Sequence, residues 1–138
     1  MTTEIQEYLK HSIQNPNNDI VSKLTRDEIE DTKYDILDQL ELSKKDVKLL
    51  MTKLKNYRYV DELSDLREGC YTRWISLKKE PIKLMNGGIL CEVKVVDDGV
   101  FLVCKNAGRF FQFDMATCLI FQKLTCQEQI ILYDMDSL

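Results

Sequence analysis

Hydrophobic positions change their period near Gly69. Before it they recur at helical spacing; after it they form short runs broken by turns. In the first half, Ile5, Tyr8, Leu9 and Ile13 predict a helix over 3–14, and "NPNND" (Asn15–Asp19) ends it. "TRDE" (Thr25–Glu28) reads as a capping box that opens a second helix to about Leu40, with Ile29, Ile36, Leu37 and Leu40 on one side. "SKKD" (Ser43–Asp46) starts a third helix. Val47, Leu50, Met51 and Leu54 form its apolar stripe, and Leu49 off the stripe predicts cover on a second side.

In the second half, "NGG" (Asn86–Gly88), "DDG" (Asp97–Gly99), "NAG" (Asn106–Gly108) and "DMA" (Asp114–Ala116) predict turns. They separate five expected strands, about 70–77, 89–96, 100–105, 109–113 and 117–124. "TCQE" (Thr125–Glu128) is another capping box, ahead of a short C-terminal helix. The expected fold is therefore α+β. A helical hairpin region, residues 1–65, precedes a five-stranded antiparallel barrel with a C-terminal helix, residues 66–138. Closure is expected because short antiparallel strands must hide their edges.

Charge sharpens the picture of the helices. Residues 27–41 carry seven acidic side chains against Lys33, and residues 44–58 carry six basic ones against Asp46. Opposite charges would favour pairing of the two, although exposed ion pairs contribute only ~0–1 kcal/mol each. The alternative use of the basic stretch is to follow phosphates through Lys48, Lys53, Lys55 and Arg58. The whole chain has a net charge of −4, which weighs against a dedicated nucleic-acid binder without excluding a local basic field.

Hydrophobic residues make up 44% and charged residues 30%, a balance that predicts a folded chain. No apolar run is long enough for a membrane-spanning helix, and the N-terminal stretch lacks a signal-peptide core, so an intracellular protein without a membrane partner is expected. Five cysteines (Cys70, Cys91, Cys104, Cys118, Cys126) have no CxxC spacing and mostly sit in apolar runs, as reduced buried thiols do. Their irregular gaps do not suit zinc, so neither metal nor cofactor is expected. His11 has no partner placed for nucleophilic catalysis, and "NGG" lacks the context of a phosphate loop. Asp97–Asp98 reads as turn chemistry, because Asp tolerates the left-handed conformation of a tight hairpin. An enzyme is not expected.

Two stretches offer binding chemistry. "CYTRWISL" alternates Tyr71, Arg73, Ile75 and Leu77 with Cys70, Thr72, Trp74 and Ser76. Neither set is wholly apolar, so periodicity does not decide whether Trp74 packs the core or lines an aromatic groove. "KNAGRFFQF" places Phe110 and Phe111 side by side, and on one regular strand they cannot both face inward. Tyr71, Arg73, Trp74, Arg109, Phe110 and Phe111 are thus the candidate partner-binding residues, for another protein's segment. The competing reading is nucleic acid, with Arg73, Trp74, Arg109 and Phe111 near bases.

The hairpin order and Gly-bearing turns over residues 69–124 resemble an SH3-like small barrel, which implies an aromatic groove for a peptide segment. The stretches "DLREGCYTRWI", "LMNGGIL", "FLVCKN" and "LIFQKLTCQEQIIL" are also similar in texture to short proteins of large nucleocytoplasmic DNA viruses of the mimivirus and marseillevirus kind. That resemblance implies synthesis in an infected cell's cytoplasm and a virion-associated or minor structural role. The helices are expected to serve as a second contact or as the dimer surface of a homo-oligomer.

Overall fold

The structure, a computed structural model, describes residues 25–136, with side chains through residue 133. The expected helix over 3–14, the "NPNND" break and His11 lie outside the described residues. The described chain is α+β and forms two compact units, one helical and one of strands.

The helical unit takes residues 25–56 and 124–136. It holds α1 (Arg26–Asp38), α2 (Lys44–Lys53) and α3 (Cys126–Asp136). All three start where the caps predict. Thr25 Oγ1 accepts from the Glu28 amide at 3.2 Å, and Ser43 Oγ from the Asp46 amide at 3.2 Å. At α3 the box is reciprocal: Thr125 Oγ1 accepts from the Glu128 amide, and Glu128 Oε1 accepts from the Thr125 amide. Ile29, Leu124, Ile131 and Leu132 form the apolar centre of this unit.

Lys33 was expected only as the lone cation of an acidic helix, yet it is fully buried. It lies on the Ile29–Leu37 stripe, four residues from each. Its Nζ donates to the Leu54 carbonyl at 2.9 Å and pairs with Glu30 at 2.7 Å. Leu54 is the C-cap of α2, so the ammonium satisfies a helix-end carbonyl where the helix dipole favours positive charge. None of Lys44, Lys45, Lys48, Lys53 or Lys55 forms an ion pair with a described residue. Among the described residues the polar tie between α1 and α2 is thus one buried lysine rather than paired charged faces. Leu49 is exposed, so α2 is not covered on the second side that it suggested.

The third helix was expected to reach Arg58 and stops at Lys53. Asn56 takes a left-handed conformation (φ 66°), which turns the chain out of the helix. The next residues, Tyr57–Val60, form β1, which the sequence reading missed. Its Tyr-Arg-Tyr-Val alternation suits a strand better than a helix. With β2 (Tyr71–Ser76), β3 (Gly88–Val96), β4 (Gly99–Asn106), β5 (Arg109–Asp114) and β6 (Cys118–Lys123), the sheet has six antiparallel strands, not five. The strand unit accordingly starts at Tyr57 and ends at Lys123.

Strand order is β1-β6-β2-β3-β4-β5. Among the described residues no ladder joins β1 to β5, so the sheet is open where a closed barrel was expected. Two turns explain the meander β3 to β5. Asp97–Asp98 link β3 to β4, but Gly99, not an aspartate, carries the positive φ. Ala107 and Gly108 both have positive φ, the combination that matches the twist of a two-residue hairpin.

Register assigns the faces. Tyr57 pairs with Lys123, Thr72 with Gln122, Trp74 with Ile120, Leu90 with Cys104, and Cys104 with Phe111. One face therefore carries Val60, Trp74, Leu90, Leu102, Cys104 and Ile120, the apolar core, with Phe113 packed against it. Trp74 on β2 and Phe113 on β5 are three strand spacings apart along the ladder, ~14 Å in a flat sheet. Their rings instead stack with centroids 4.0 Å apart, so the sheet is strongly coiled over this inner face. The middle strand β6 is buried on both faces from Leu119 to Gln122, which accounts for its unbroken "LIF" run.

Candidate functional site

The candidate surfaces flank one loop. Between β2 and β3, residues 84–88 return along β2: the Met85 amide donates to the Trp74 carbonyl at 2.9 Å. Gly87 takes φ 87°, and a Cβ there would run into the Thr72 carbonyl oxygen. Gly88 packs as closely against β4, where a Cβ would stand 2.6 Å from the Lys105 carbonyl oxygen. Asn106 pegs the loop, its Nδ2 donating to the Gly87 carbonyl at 2.8 Å. Tyr71 donates its hydroxyl to the Asn86 carbonyl at 2.9 Å, and Arg73 Nε donates to the Met85 carbonyl at 2.9 Å.

On one side of the loop a concavity of about 170 Å³ has Trp74, Met85 and Phe111 as its apolar lining, with Lys83, Asn86 and Asn106 also around it. Trp74 is only 6% exposed, and Phe111 stands at 6.4 Å from it between ring centroids. Trp74 is thus a core residue with an edge toward this hollow, which unites the two readings its strand left open.

A second concavity, about 470 Å³, is lined by Tyr57, Tyr71, Arg73, Asn86 and Lys123. It contains two cations and no carboxylate. Burial pushes the Tyr57 phenol above its ordinary value, the Arg73 guanidinium opposes that shift, and Tyr71 adds to it. The Lys123 side chain makes no hydrogen bond or ion pair with a described residue, and the Arg73 side chain hydrogen-bonds only to Met85 among them.

The six candidate binding residues separate. Trp74 and Phe111 meet at the first hollow, and Tyr71 and Arg73 at the second. Phe110 stands on the outer face, 65% exposed, with Lys105 Nζ 5.5 Å from its ring centroid. Arg109 is exposed at the β5 turn and lines neither hollow. Lys48, Lys53 and Lys55 are exposed on or just after α2, but Arg58 is in a strand and 4% exposed. Its Nη2 donates to the Asp65 carbonyl and to Gln122 Oε1, so it is an internal brace rather than a fourth phosphate ligand.

Sequence reasoning missed Tyr57, Lys83, Met85 and Lys123. Tyr57 was hidden by the overextended helix, Lys123 lay in the expected strand 117–124 without its partner strand, and the loop's close return along β2 leaves only "NGG" as its trace.

The thiols were expected to be mostly buried, but only Cys104 is; Cys70 and Cys118 are half-buried, and Cys91 and Cys126 are exposed. Burial pushes the Cys104 thiol up to about 12, with Cys91 adding to the shift, and burial also raises Cys118. Among the described residues no three His, Cys, Asp or Glu side chains are grouped to hold a metal, and no helix is long and apolar enough to cross a membrane. No protein-family model, curated protein or solved structure matches the chain.

Proposed function

We propose that this protein is a non-catalytic binding module that holds a segment of another protein in the Trp74–Met85–Phe111 hollow. The observation that carries this reading is an apolar hollow of about 170 Å³, bordered by a tryptophan edge and the exposed cation Lys83. Its size suits a single apolar side chain, and Lys83 favours an acidic residue beside it. An SH3-like curl of the open six-stranded sheet, short of closure, is the architecture proposed for the strand unit. The final strand's return between β1 and β2, and the coil that stacks Trp74 on Phe113, support it. A virion-associated role stays with the viral resemblance and gains no support from this geometry.

The test titrates peptides with an apolar residue next to Asp or Glu against the full chain and follows Trp74 emission. Binding that is lost in Phe111→Ser, weakened in Lys83→Glu and little changed by added salt supports the proposal. If no peptide shifts Trp74 emission, or if Phe111→Ser binds as well as the wild type, the hollow is not the site.

A further inference from the structure

The outer face of the sheet carries a single row of side chains with its own chemistry. Tyr57 on β1 pairs with Lys123 on β6. Extending the β2–β6 register by one residue past Thr72–Gln122 brings Tyr71 opposite Lys123. Tyr71 then pairs with Ile89, Ile89 with Lys105, and Lys105 with Phe110. Side chains directly opposite in neighbouring strands share a face. The row therefore reads Tyr, Lys, Tyr, Ile, Lys, Phe across all six strands, about 24 Å measured along the coiled ladder at ~4.8 Å per strand.

Three features make this row a surface for a ligand rather than a solvated face. Its cations are uncommitted to carboxylates: neither Lys123 nor Lys105 forms an ion pair with a described residue. Its apolar members on β3 and β5 are open, with Ile89 49% and Phe110 65% exposed, whereas Tyr57 at the β1 end is buried. One end of the row opens into the hollow shared by Tyr57, Tyr71, Arg73 and Lys123, which contains no carboxylate. The nearest acidic residue that register places on this face is Glu92, beyond the irregularity between Leu90 and Glu92.

Alternating aromatic rings and cations is what a flexible polyanion with flat bases needs: ring faces for stacking and ammonium or guanidinium groups for phosphates. An apolar protein segment would leave the lysines unmatched, and a duplex would leave Phe110 and Tyr71 without bases to stack on. We propose that the outer face binds single-stranded nucleic acid, with Lys123, Arg73 and Lys105 on phosphates and Phe110 and Tyr71 against bases. This site is independent of the peptide hollow, and either can fail alone.

The experiment measures fluorescence anisotropy of labelled oligothymidine and oligoadenosine strands of about twelve nucleotides, with a duplex of equal length, over a salt series. Three phosphate contacts give a slope of about −2 in log affinity against log salt for a single strand. Lys123→Gln and Lys105→Gln should each reduce its magnitude by about 0.7. Phe110→Ala should weaken binding roughly tenfold or more through lost stacking. All three residues are exposed, and unchanged Trp74 emission checks that the variants fold. Absence of strand binding at low salt overturns the proposal. So does equal affinity for duplex with no effect of Phe110→Ala, or weakening only by Lys48→Gln and Lys53→Gln on α2.

Discussion

Gln122 should be among the most costly residues to replace. It is fully buried on β6, and its amide uses both ends. Oε1 accepts from the Arg67 amide at 2.9 Å and from Arg58 Nη2 at 3.2 Å. Nε2 donates to the Arg67 carbonyl at 2.9 Å and to Thr72 Oγ1 at 3.1 Å. One side chain thus joins β1, β6, β2 and the loop before β2. Gln122→Leu keeps most of the volume and removes all four bonds. Three neutral bonds contribute about 1 kcal/mol each, and the bond from the guanidinium about 1.5 kcal/mol or more. The leucine recovers about 1–2 kcal/mol by burying apolar surface. The expected net loss is about 3–4 kcal/mol, a large part of the roughly 5–15 kcal/mol of an ordinary domain. Gln122→Glu keeps the two acceptor bonds but sets a carboxylate oxygen against the Arg67 carbonyl in a buried site, so it too should lose stability. Urea unfolding followed by Trp74 fluorescence measures both variants, at unchanged dependence on denaturant. A Gln122→Leu protein within about 1 kcal/mol of wild type would refute the view that this amide organises the strand unit.

Other expectations follow from single contacts. Trp74, 6% exposed and stacked at 4.0 Å on Phe113, should emit blue-shifted light and resist a soluble quencher; a red-shifted, readily quenched emission would contradict its placement. Lys33→Ala should lose about 3 kcal/mol through a stranded helix-end carbonyl and a cavity, and Lys33→Met less, as read by thermal unfolding. Gly87→Ala should be far more damaging than Gly108→Ala, because both have positive φ but only Gly87 faces a backbone oxygen; equal melting shifts would deny the close approach. Alkali should also destabilise the fold through Cys104. Its folded value of about 12 lies above the ordinary 9.0, so its contribution is complete below pH 9 and is lost as pH rises toward 12. The slope from this thiol is about 1.4 kcal/mol per pH unit, and unfolding curves of Cys104→Val should be flatter there.

The sequence disclosed what local chemistry decides. Caps at Thr25, Ser43 and Thr125, and turns at Asp97–Gly99 and Asn106–Gly108, depend on neighbouring residues, so their patterns predicted helix starts and hairpins. β1 escaped because a strand of four residues gains its stability from pairing with β6, 60 or more positions away. The basic composition of 44–58 also continued across the helix end. A clue was present in Asn56, the residue type other than Gly that most readily ends a helix in the left-handed conformation. Lys33 and Gln122 carried a clearer signal. Each is a polar residue on an otherwise apolar stripe, Lys33 between Ile29 and Leu37 and Gln122 after Leu119–Phe121. A polar group in that position is either exposed by a shift of the stripe or buried with its partners, and here both are buried.

The two proposed surfaces follow from the same physical fact, the alternation of side chains along β2. Trp74 turns inward and Arg73 outward, so neighbouring residues would meet different ligands through opposite faces. The loop over 84–88 makes this arrangement rigid. Arg73 and Trp74 are each tied to Met85, one by its side chain and one by its backbone carbonyl. Asn86 borders both hollows, and Asn106 fixes the adjacent Gly87. A ligand that displaced this loop on one face would disturb the lining of the other, whereas a ligand that left it in place would not. Coupling between peptide and strand binding is therefore a measure of loop movement, and the packing of Gly87 and Gly88 against Thr72 and Lys105 argues for little of it. The expected outcome is near-independent binding: strand affinity should be unchanged at saturating peptide, and a tenfold change in either direction would mean that the loop moves.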